Sequence, residues 1–329
     1  MAYLRKVKGG WRAEVEKLGV RRSITKPTKV EAANWAAAEE AAILADKSAR
    51  WPRKTFAEAI ERYRVGVSSQ KRGARAEGLR LDAISRDFPA LVGKQLIDVT
   101  TDDLALWRDE RLRKVTSGAV RRDVNLLRNL FAVARDEWKW IPDSPFKGFR
   151  VPNDNAPRER RVMPAEVKQL CRWLGYRTGQ VEGKQQQVAL AFLLGLRTAM
   201  RASELLSLSD QTVDLDKRVA KVPHKTQHIT GRLRQVPLSR AAVRLLRPRM
   251  GRGKVFDLSS KSLDALFRKA RDAMMVKDLH FHDSRAEALT RLAKRVDVLT
   301  LARISGHKDL RMLLDVYYRE STSDIAARI

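Results

Sequence analysis

Residues 193–208, with the sequence LLGLRTAMRASELLSL, decide how the second half of the chain is interpreted. The stretch is apolar at helical spacing, yet it contains Arg201 and, three residues later, Glu204. A charge within an apolar helix needs a partner, and residues three apart share one face of a helix. The sequence therefore predicts a helix across this stretch in which Glu204 orients Arg201. From these residues alone, a plain ion pair is the simpler interpretation.

Histidine, arginine and tyrosine residues recur further along the chain. His282-Asp283-Ser284-Arg285 opens a predicted helix, which lets its histidine and arginine face one ligand. Gly306-His307 ends a short helical pattern, and Tyr317-Tyr318 follows. Guanidinium groups can clamp the oxygens of a phosphate, imidazoles can transfer protons, and a tyrosine hydroxyl can attack and form a covalent intermediate. The pattern indicates phosphate chemistry with a hydroxyl nucleophile.

The region between these motifs is predicted to form short β-strands. Val213–Leu215, Val219–Val222 and Arg234–Leu238 are strand-like runs separated by turns, and Lys225 follows the second run. A lone lysine at such a place is most simply a solvated turn residue, so its role depends on the neighbouring motifs.

The order of these motifs resembles the tyrosine recombinase (phage integrase) family, and the resemblance spans the whole chain. It implies that two arginines and two histidines hold the scissile phosphate, that the lysine protonates the leaving 5′ oxygen, and that a tyrosine attacks. The implied catalytic residues are Arg201, Lys225, His282, Arg285, His307 and Tyr317, with Glu204 orienting Arg201.

The nucleophile has to be chosen between two adjacent tyrosines. The commonest family spacing falls on Val316, which has no hydroxyl, so this chain carries one extra residue. Placing the first tyrosine in the nucleophile position predicts Tyr317, with Tyr318 as a packing residue. The family often has a histidine where this chain has Ala286, but that histidine is not one of the reacting groups.

The resemblance implies DNA cleavage through a 3′-phosphotyrosine that a second 5′ hydroxyl reverses, without ATP or another cofactor. The sequence has no cluster of carboxylates of the kind that holds two Mg²⁺ ions, so we expect no metal. The implied partners are double-stranded DNA, further copies of the chain in a homotetramer, and candidate DNA-bending and directionality factors.

The composition also favours a nucleic-acid partner. The 329 residues include 67 Lys and Arg against 39 Asp and Glu, a net charge of +28. Such an excess most often neutralises a polyanion, although it could also serve solubility. The single cysteine, Cys171, excludes a disulfide framework. No signal-peptide core or long apolar run is present, which predicts a cytoplasmic, nucleoid-associated protein without a membrane partner.

Residues 1–48 are predicted to form a three-stranded sheet with one helix. Two strand-like runs flank Gly9-Gly10, a hairpin signal, and Thr28 with Glu31 forms a capping box before an Ala-rich helix. Basic residues on the strands either protect the sheet from aggregation or contact the major groove of DNA. Integrases that bind distant arm-type sites carry a similar module, which favours DNA contact. The basic residues are Arg5, Lys6, Lys8, Arg12, Arg21 and Arg22.

The whole chain is predicted to be multidomain and mainly α-helical with small β-sheets. Residues 54–150 resemble the all-helical core-binding domain of the family, and residues 160–329 its mixed α+β catalytic domain, with a basic linker between them. Three functions compete. They are an integrase of a phage or mobile element that binds core-type and arm-type sites, a simpler excisionase or resolvase-type recombinase, and a non-catalytic DNA-binding protein on the same scaffold.

Overall fold

The structure, a computed structural model, describes residues 3–17, 20–45, 51–156, 158–223, 231, 233–318 and 326. The chain divides into two compact units, Met1–Ala156 and Pro157–Ile329. The predicted three-domain boundaries stay a prediction. The predicted lysine, Lys225, and the tail after residue 318, apart from residue 326, lie outside the described residues.

The N-terminal part of the first unit is an antiparallel sheet covered by one helix. Strands β1 (Tyr3–Val7), β2 (Gly10–Lys17) and β3 (Val20–Lys26) lie in the order β1-β2-β3, and helix α1 spans Lys29–Ala45. Alternate residues of β2, Ala13 and Val15, are buried in one cluster with small residues of α1 because strand side chains alternate between faces. The predicted sheet and helix are confirmed.

The rest of the first unit is helical. Two helices begin with reciprocal capping boxes, Thr55 with Glu58 and Thr100 with Asp103, which satisfy backbone N–H groups at the helix ends. Large aromatic side chains fill the core, among them Trp107. The helices are α2 (Phe56–Gly66), α3 (Ala74–Asp87), α4 (Pro89–Val92), α5 (Thr101–Lys114) and α6 (Ser117–Asp136).

The second unit is a helical body with a small antiparallel sheet of order β4-β5-β6. Helix α8 runs through its core, where Phe192 stacks on Phe267 at 5.3 Å between ring centroids. The helices are α7 (Pro164–Trp173), α8 (Lys184–Thr198), α9 (Ala202–Leu206), α10 (Arg240–Leu246), α11 (Ser260–Ala273), α12 (Asp283–Ala293), α13 (Val298–Ser305) and α14 (Leu310–Tyr317). The strands are β4 (Val213–Asp214), β5 (Val219–Val222) and β6 (Arg234–Pro237).

Helices α8 and α12 pack very closely at one point. A Cβ added to Gly195 of α8 would lie 2.4 Å from the hydroxyl of Ser284 on α12, so a larger residue here would force Ser284 or the helices to shift. Ser284 precedes Arg285, and the close contact therefore holds that arginine against the C-terminal end of α8.

The prediction of a helix across residues 193–208 was wrong in one respect. Helix α8 ends at Thr198, Ala199 adopts φ +55°, and a separate short helix starts after Arg201. Arg201 is thus the N-terminal flanking residue of α9 rather than a residue within a helix. The hydroxyl of Thr198 accepts from the N–H of Met200 at 3.4 Å and donates to Leu194 O, which supports the break.

The predicted fold class is confirmed: the chain is mainly helical, with small antiparallel sheets in both units. No helix among the described residues combines the length and apolar composition that a membrane span requires. In the same part of the chain, no group of three or more His, Cys, Asp or Glu side chains is placed to hold a metal ion.

Candidate active site

Two helix ends provide the backbone on which the site is built. Ala199, at the end of α8, is buried in a left-handed conformation that non-glycine residues seldom adopt, and its carbonyl accepts a hydrogen bond from Arg285 Nη1. Arg285 Nη2 donates to Ser305 O, at the end of α13, at 2.8 Å. The last carbonyls of a helix lack intrahelical partners and carry partial negative charge. The guanidinium of Arg285 lies between two such helix ends, and their carbonyl oxygens stabilise its charge.

The end of α13 also receives two other arginines. Gly306 ends the helix with φ +72°, so the carbonyls just before it are available to accept hydrogen bonds from side chains. Arg201 Nη1 donates to Ser305 O at 3.4 Å, and Arg234 Nη1 donates to Ile304 O. Three guanidinium groups thus converge on one helix terminus.

One buried carboxylate links these arginines. Glu204 is 3% exposed and accepts from Arg201 N at 2.8 Å, Arg201 Nη1 at 2.9 Å and Arg234 Nη2 at 2.6 Å. Burial raises the pKa of Glu204, but the backbone hydrogen bond from Arg201 and the charge of Arg234 outweigh it, so the pKa lies below its ordinary value. The carboxylate is charged at neutral pH and orients Arg201, as predicted from their spacing.

The charges of the cluster leave an excess of positive charge at its surface. Arg201, Arg234 and Arg285 surround the single carboxylate of Glu204. Burial, followed by the charge of Arg201, lowers the pKa of Arg285 to about 10, which still leaves it protonated at neutral pH. The side chain of Arg201 is 40% exposed, so it can donate to a ligand while its carboxylate partner holds it. The arrangement is suited to an anion with several oxygens, such as a phosphate.

The two predicted histidines lie beside this cluster and are neutral. His307 Nδ1 lies 2.7 Å from the Ser305 hydroxyl. Burial and then the charges of Arg285 and Arg201 lower the pKa of His307 to about 4. His282 flanks the start of α12, where partial desolvation and the charge of Arg285 lower its pKa. Neutral imidazoles can accept or donate a proton beside a bound phosphate.

We expect the ring of His307 to titrate near pH 4 in the folded protein. Because its folded pKa lies below the value of 6.5 expected in the unfolded chain, its contribution to the free energy of unfolding is full above pH 6.5 and is lost as the pH falls to about 4. Side-chain NMR of histidine-labelled protein measures this pKa directly, and the spectrum of His307→Gln assigns the signal. Titration of the folded protein near pH 6.5 would contradict the desolvated position of this ring.

The two tyrosines have different surroundings. Tyr318 donates its hydroxyl to Val296 O at 2.5 Å, which agrees with a packing role. Tyr317, the last residue of α14, makes no hydrogen bond through its hydroxyl to any described residue. Burial raises the pKa of Tyr317, and the charge of Arg285 acts in the opposite direction. Both tyrosines line a cleft of about 340 Å³ next to residues 158–161 and α12.

The structure brings most of the predicted residues into one site. Arg201, Glu204, Arg285 and His307 are joined through the end of α13. His282 lines a pocket with Arg285, and Tyr317 lines another cleft with Ala286, the residue after Arg285. The sixth predicted catalytic residue, Lys225, lies outside the described part of the chain.

Arg234 was missed by the sequence analysis. It is 8% exposed and lies on the inward face of β6 together with Val236, while Gln235 is exposed. The alternation of the strand carried this signal, since Arg234 and Val236 are two residues apart and must share a face.

Comparisons with known proteins show which family this chain resembles. Residues 160–324 match the phage integrase family. A Haemophilus influenzae protein described as an integrase/recombinase is 36% identical over 296 residues, covering 89% of this chain and 95% of that protein. The shufflon-specific DNA recombinase of Escherichia coli is 33% identical over 278 residues, covering 81% of this chain and 69% of that protein.

A solved structure extends the likeness in fold over nearly the whole chain. A lambda integrase tetramer bound to a Holliday junction aligns with a TM-score of 0.64 at 16% identity, over 98% of this chain and 96% of that one. This likeness shows the fold. The sequence matches establish that the chain belongs to the phage integrase family of tyrosine recombinases.

Proposed function

We propose that this chain is a site-specific DNA recombinase that cleaves and rejoins DNA through a 3′-phosphotyrosine on Tyr317. The observation that carries the proposal is the grouping of half-exposed Arg201 with buried Arg285 and neutral His307 at one helix terminus. Tyr317 lines a cleft together with Ala286, the residue that follows Arg285. A phosphate held by the two arginines would therefore lie near a tyrosine without a competing hydrogen bond to a described group.

In the proposed reaction, Tyr317 Oη attacks the phosphorus and the bond from phosphorus to the 5′ oxygen breaks. His282, kept neutral by its lowered pKa, is suited to accept the phenolic proton. The proposed source of the proton for the leaving 5′ oxygen is Lys225. Arg201 and Arg285 stabilise the charge that develops on the other phosphate oxygens. Attack by a 5′ hydroxyl on the phosphotyrosine reverses the step and releases the protein.

We expect cleavage of a nicked suicide substrate in excess EDTA, because the proposed site uses arginine rather than metal to hold the phosphate. The measurement is a covalent protein–DNA adduct seen on a denaturing gel. Loss of the adduct in EDTA and its recovery with Mg²⁺ would contradict the metal-independent mechanism. Absence of any adduct, with DNA binding intact, would instead favour a non-catalytic DNA-binding protein.

We also propose that the N-terminal sheet binds a second class of DNA site. On the face turned away from α1, Glu14 lies 3.7 Å from Arg5, 3.0 Å from Arg12 and 2.8 Å from Arg21, one arginine from each strand. The hydrogen bond from Arg21 lowers the pKa of Glu14, so the carboxylate stays charged and holds the arginines side by side. A sheet face with several ordered arginines suits the major groove of DNA.

Adjacent arginines on β3 provide a matched test of this surface. Arg21 lies on the Glu14 face, whereas Arg22 is paired in register with buried Val15 and bonds Glu39 of α1 at 2.5 Å. We expect Arg21→Gln to weaken binding to arm-type DNA by about tenfold and Arg22→Gln to have little effect. Cleavage at core-type sites should be unchanged in both. Footprinting that reveals only one class of site for the unmodified protein would favour the simpler recombinase.

The complete proposed assembly is a homotetramer on two DNA segments, acting for a phage or other mobile element. DNA-bending and directionality factors are proposed as additional partners. The N-terminal sheet supports the integrase over the excisionase or resolvase type, because a second DNA-binding surface would let one protein connect distant sites. We propose a cytoplasmic, nucleoid-associated location, where such DNA is found.

A further inference from the structure

We infer that Arg234 is a positioning residue that fixes the phosphate-binding arginine and the catalytic histidine relative to each other, an inference that rests on the proposed function. Arg234 stands at the start of β6 and is 8% exposed. Arg234 is much less exposed to solvent than Arg201. We therefore expect it to hold other side chains in place rather than to contact the DNA.

The guanidinium of Arg234 joins two elements that are far apart in sequence. Its Nη2 donates to Glu204 Oε2 at 2.6 Å, and its Nη1 donates to Ile304 O. Its third edge lies directly beneath the turn that ends α13: a Cβ added to Gly306 would be 2.9 Å from Arg234 Nε and 3.0 Å from its Cδ. One planar group thus contacts α9 and both sides of the α13 terminus.

Each of these contacts leads to a group of the proposed reaction. Glu204 holds the backbone N–H and the guanidinium of Arg201. Arg234 lies beneath Gly306, and the residues on either side of Gly306 are Ser305 and His307. The hydroxyl of Ser305 lies 2.7 Å from His307 Nδ1. A shift of Arg234 would therefore move Arg201 and His307 together. Misplacement of catalytic groups by about 1 Å can lower a reaction rate about 100-fold.

One nitrogen of Arg234 lacks a hydrogen bond to any described residue, which indicates that Arg234 positions other groups rather than adding to the stability of the fold. Its Nε is buried without a hydrogen-bond partner in the described part of the chain. A buried unpaired donor costs roughly 1–3 kcal/mol. An apolar side chain would avoid that cost but could not bond the carboxylate and the helix-end carbonyl. The planar fork of Arg234 bonds them through two separate nitrogens held in a fixed arrangement.

The charge of Arg234 serves the same purpose. After burial and the charges of Arg285 and Arg201, it helps to lower the pKa of His307. It also keeps Glu204 ionised, so that the carboxylate remains an acceptor for Arg201. Lysine at this position would keep the positive charge but lose the two-nitrogen hydrogen bonding of the guanidinium. Arg234→Lys therefore separates the effect of the charge from the effect of the hydrogen bonds.

Arg249 is the matched control because it is a second buried arginine away from the site. It is 6% exposed, and it donates to Val255 O at 2.8 Å and Val181 O at 3.0 Å. Replacing it with lysine removes a planar fork that joins two acceptors, as at Arg234, although both acceptors of Arg249 are backbone carbonyls. If buried arginines only stabilise this unit, the two replacements should affect cleavage alike.

The test compares Arg234→Lys with Arg249→Lys in the full-length chain on a nicked suicide substrate. We expect Arg234→Lys to form the covalent adduct about 100-fold more slowly at saturating DNA, with unchanged DNA affinity. Arg249→Lys should cleave at the rate of the unmodified protein, even if it melts earlier. Normal cleavage by Arg234→Lys, or equal losses in both variants, would overturn the inference. No adduct with the unmodified protein would instead refute the proposed function.

Gly306→Ala keeps the test decisive if Arg234→Lys does not fold, and a double variant adds a second test if it does. Gly306→Ala presses a methyl group against the guanidinium and also strains the backbone, which has a φ of +72° here. We expect slow cleavage with unchanged DNA affinity. Where Arg234→Lys folds, Glu204→Gln should slow cleavage on its own. The double variant should lose less than the product of the two single losses, because both changes disturb the hold of Glu204 on Arg201. A Gly306→Ala protein with the unmodified rate, or fully additive losses in the double variant, would count against a positioning role.

Discussion

Replacing Tyr317 with phenylalanine is expected to abolish the covalent protein–DNA adduct while DNA affinity stays the same. The change removes only the hydroxyl, which makes no hydrogen bond to a described residue, so little stability depends on it. Without that oxygen no phosphotyrosine can form. The measurement is adduct formation on a nicked suicide substrate, with DNA affinity followed by fluorescence anisotropy.

Tyr318→Phe is the matched control because it removes the same atom from the next residue. Its hydroxyl donates to Val296 O at 2.5 Å, so the change should cost about 1 kcal/mol of stability. Adduct formation should persist. If Tyr318→Phe abolished the adduct and Tyr317→Phe did not, the assignment of the nucleophile would be reversed.

Replacing Arg201 with lysine is expected to lower the rate of adduct formation by about 100- to 1,000-fold, the range observed when one donor to a developing oxyanion is removed. Arg201 bonds Glu204 and Ser305 O through Nη1, which leaves Nη2 and Nε for phosphate oxygens. Lysine keeps the positive charge but has a single nitrogen, so it loses these separate donors of the planar fork. Since the charge remains, DNA affinity should change far less than the rate. Single-turnover cleavage at saturating DNA separates the two quantities.

Arg197→Lys serves as the control for this experiment. Arg197 lies four residues earlier, near the end of α8, and is exposed, whereas Arg201 bonds the buried carboxylate of Glu204. Cleavage by the control should match that of the unmodified protein. A comparable loss of rate in both variants would mean that general positive charge, rather than the geometry at Glu204, supports the reaction.

The sequence predicted those parts of the fold that depend on local signals. The capping residues Thr55 and Glu58 mark a helix start that the structure confirms, and the hairpin at Gly9-Gly10 joins β1 to β2. The spacing of Arg201 and Glu204 gave the correct partner for the arginine, because that contact forms between residues three apart.

Features that depend on tertiary contacts were not predictable in the same way. Alanine favours helices more than any other residue, yet Ala199 ends α8, where its carbonyl meets a guanidinium 86 residues away. The link from Arg234 to Glu204 and Ile304 joins positions 30 and 70 residues apart. The alternation of β6 placed Arg234 inward, but the groups it would meet there required the fold.

Mapping the covalent adduct by peptide mass spectrometry tests the central claim most directly. The unmodified full-length chain is incubated in EDTA with a nicked suicide substrate, digested, and searched for a peptide that carries a nucleotide. The predicted result is a 3′-linked nucleotide on Tyr317 and none on Tyr318. A nucleotide on any other residue, or cleaved DNA without a covalent peptide, would contradict the proposed mechanism.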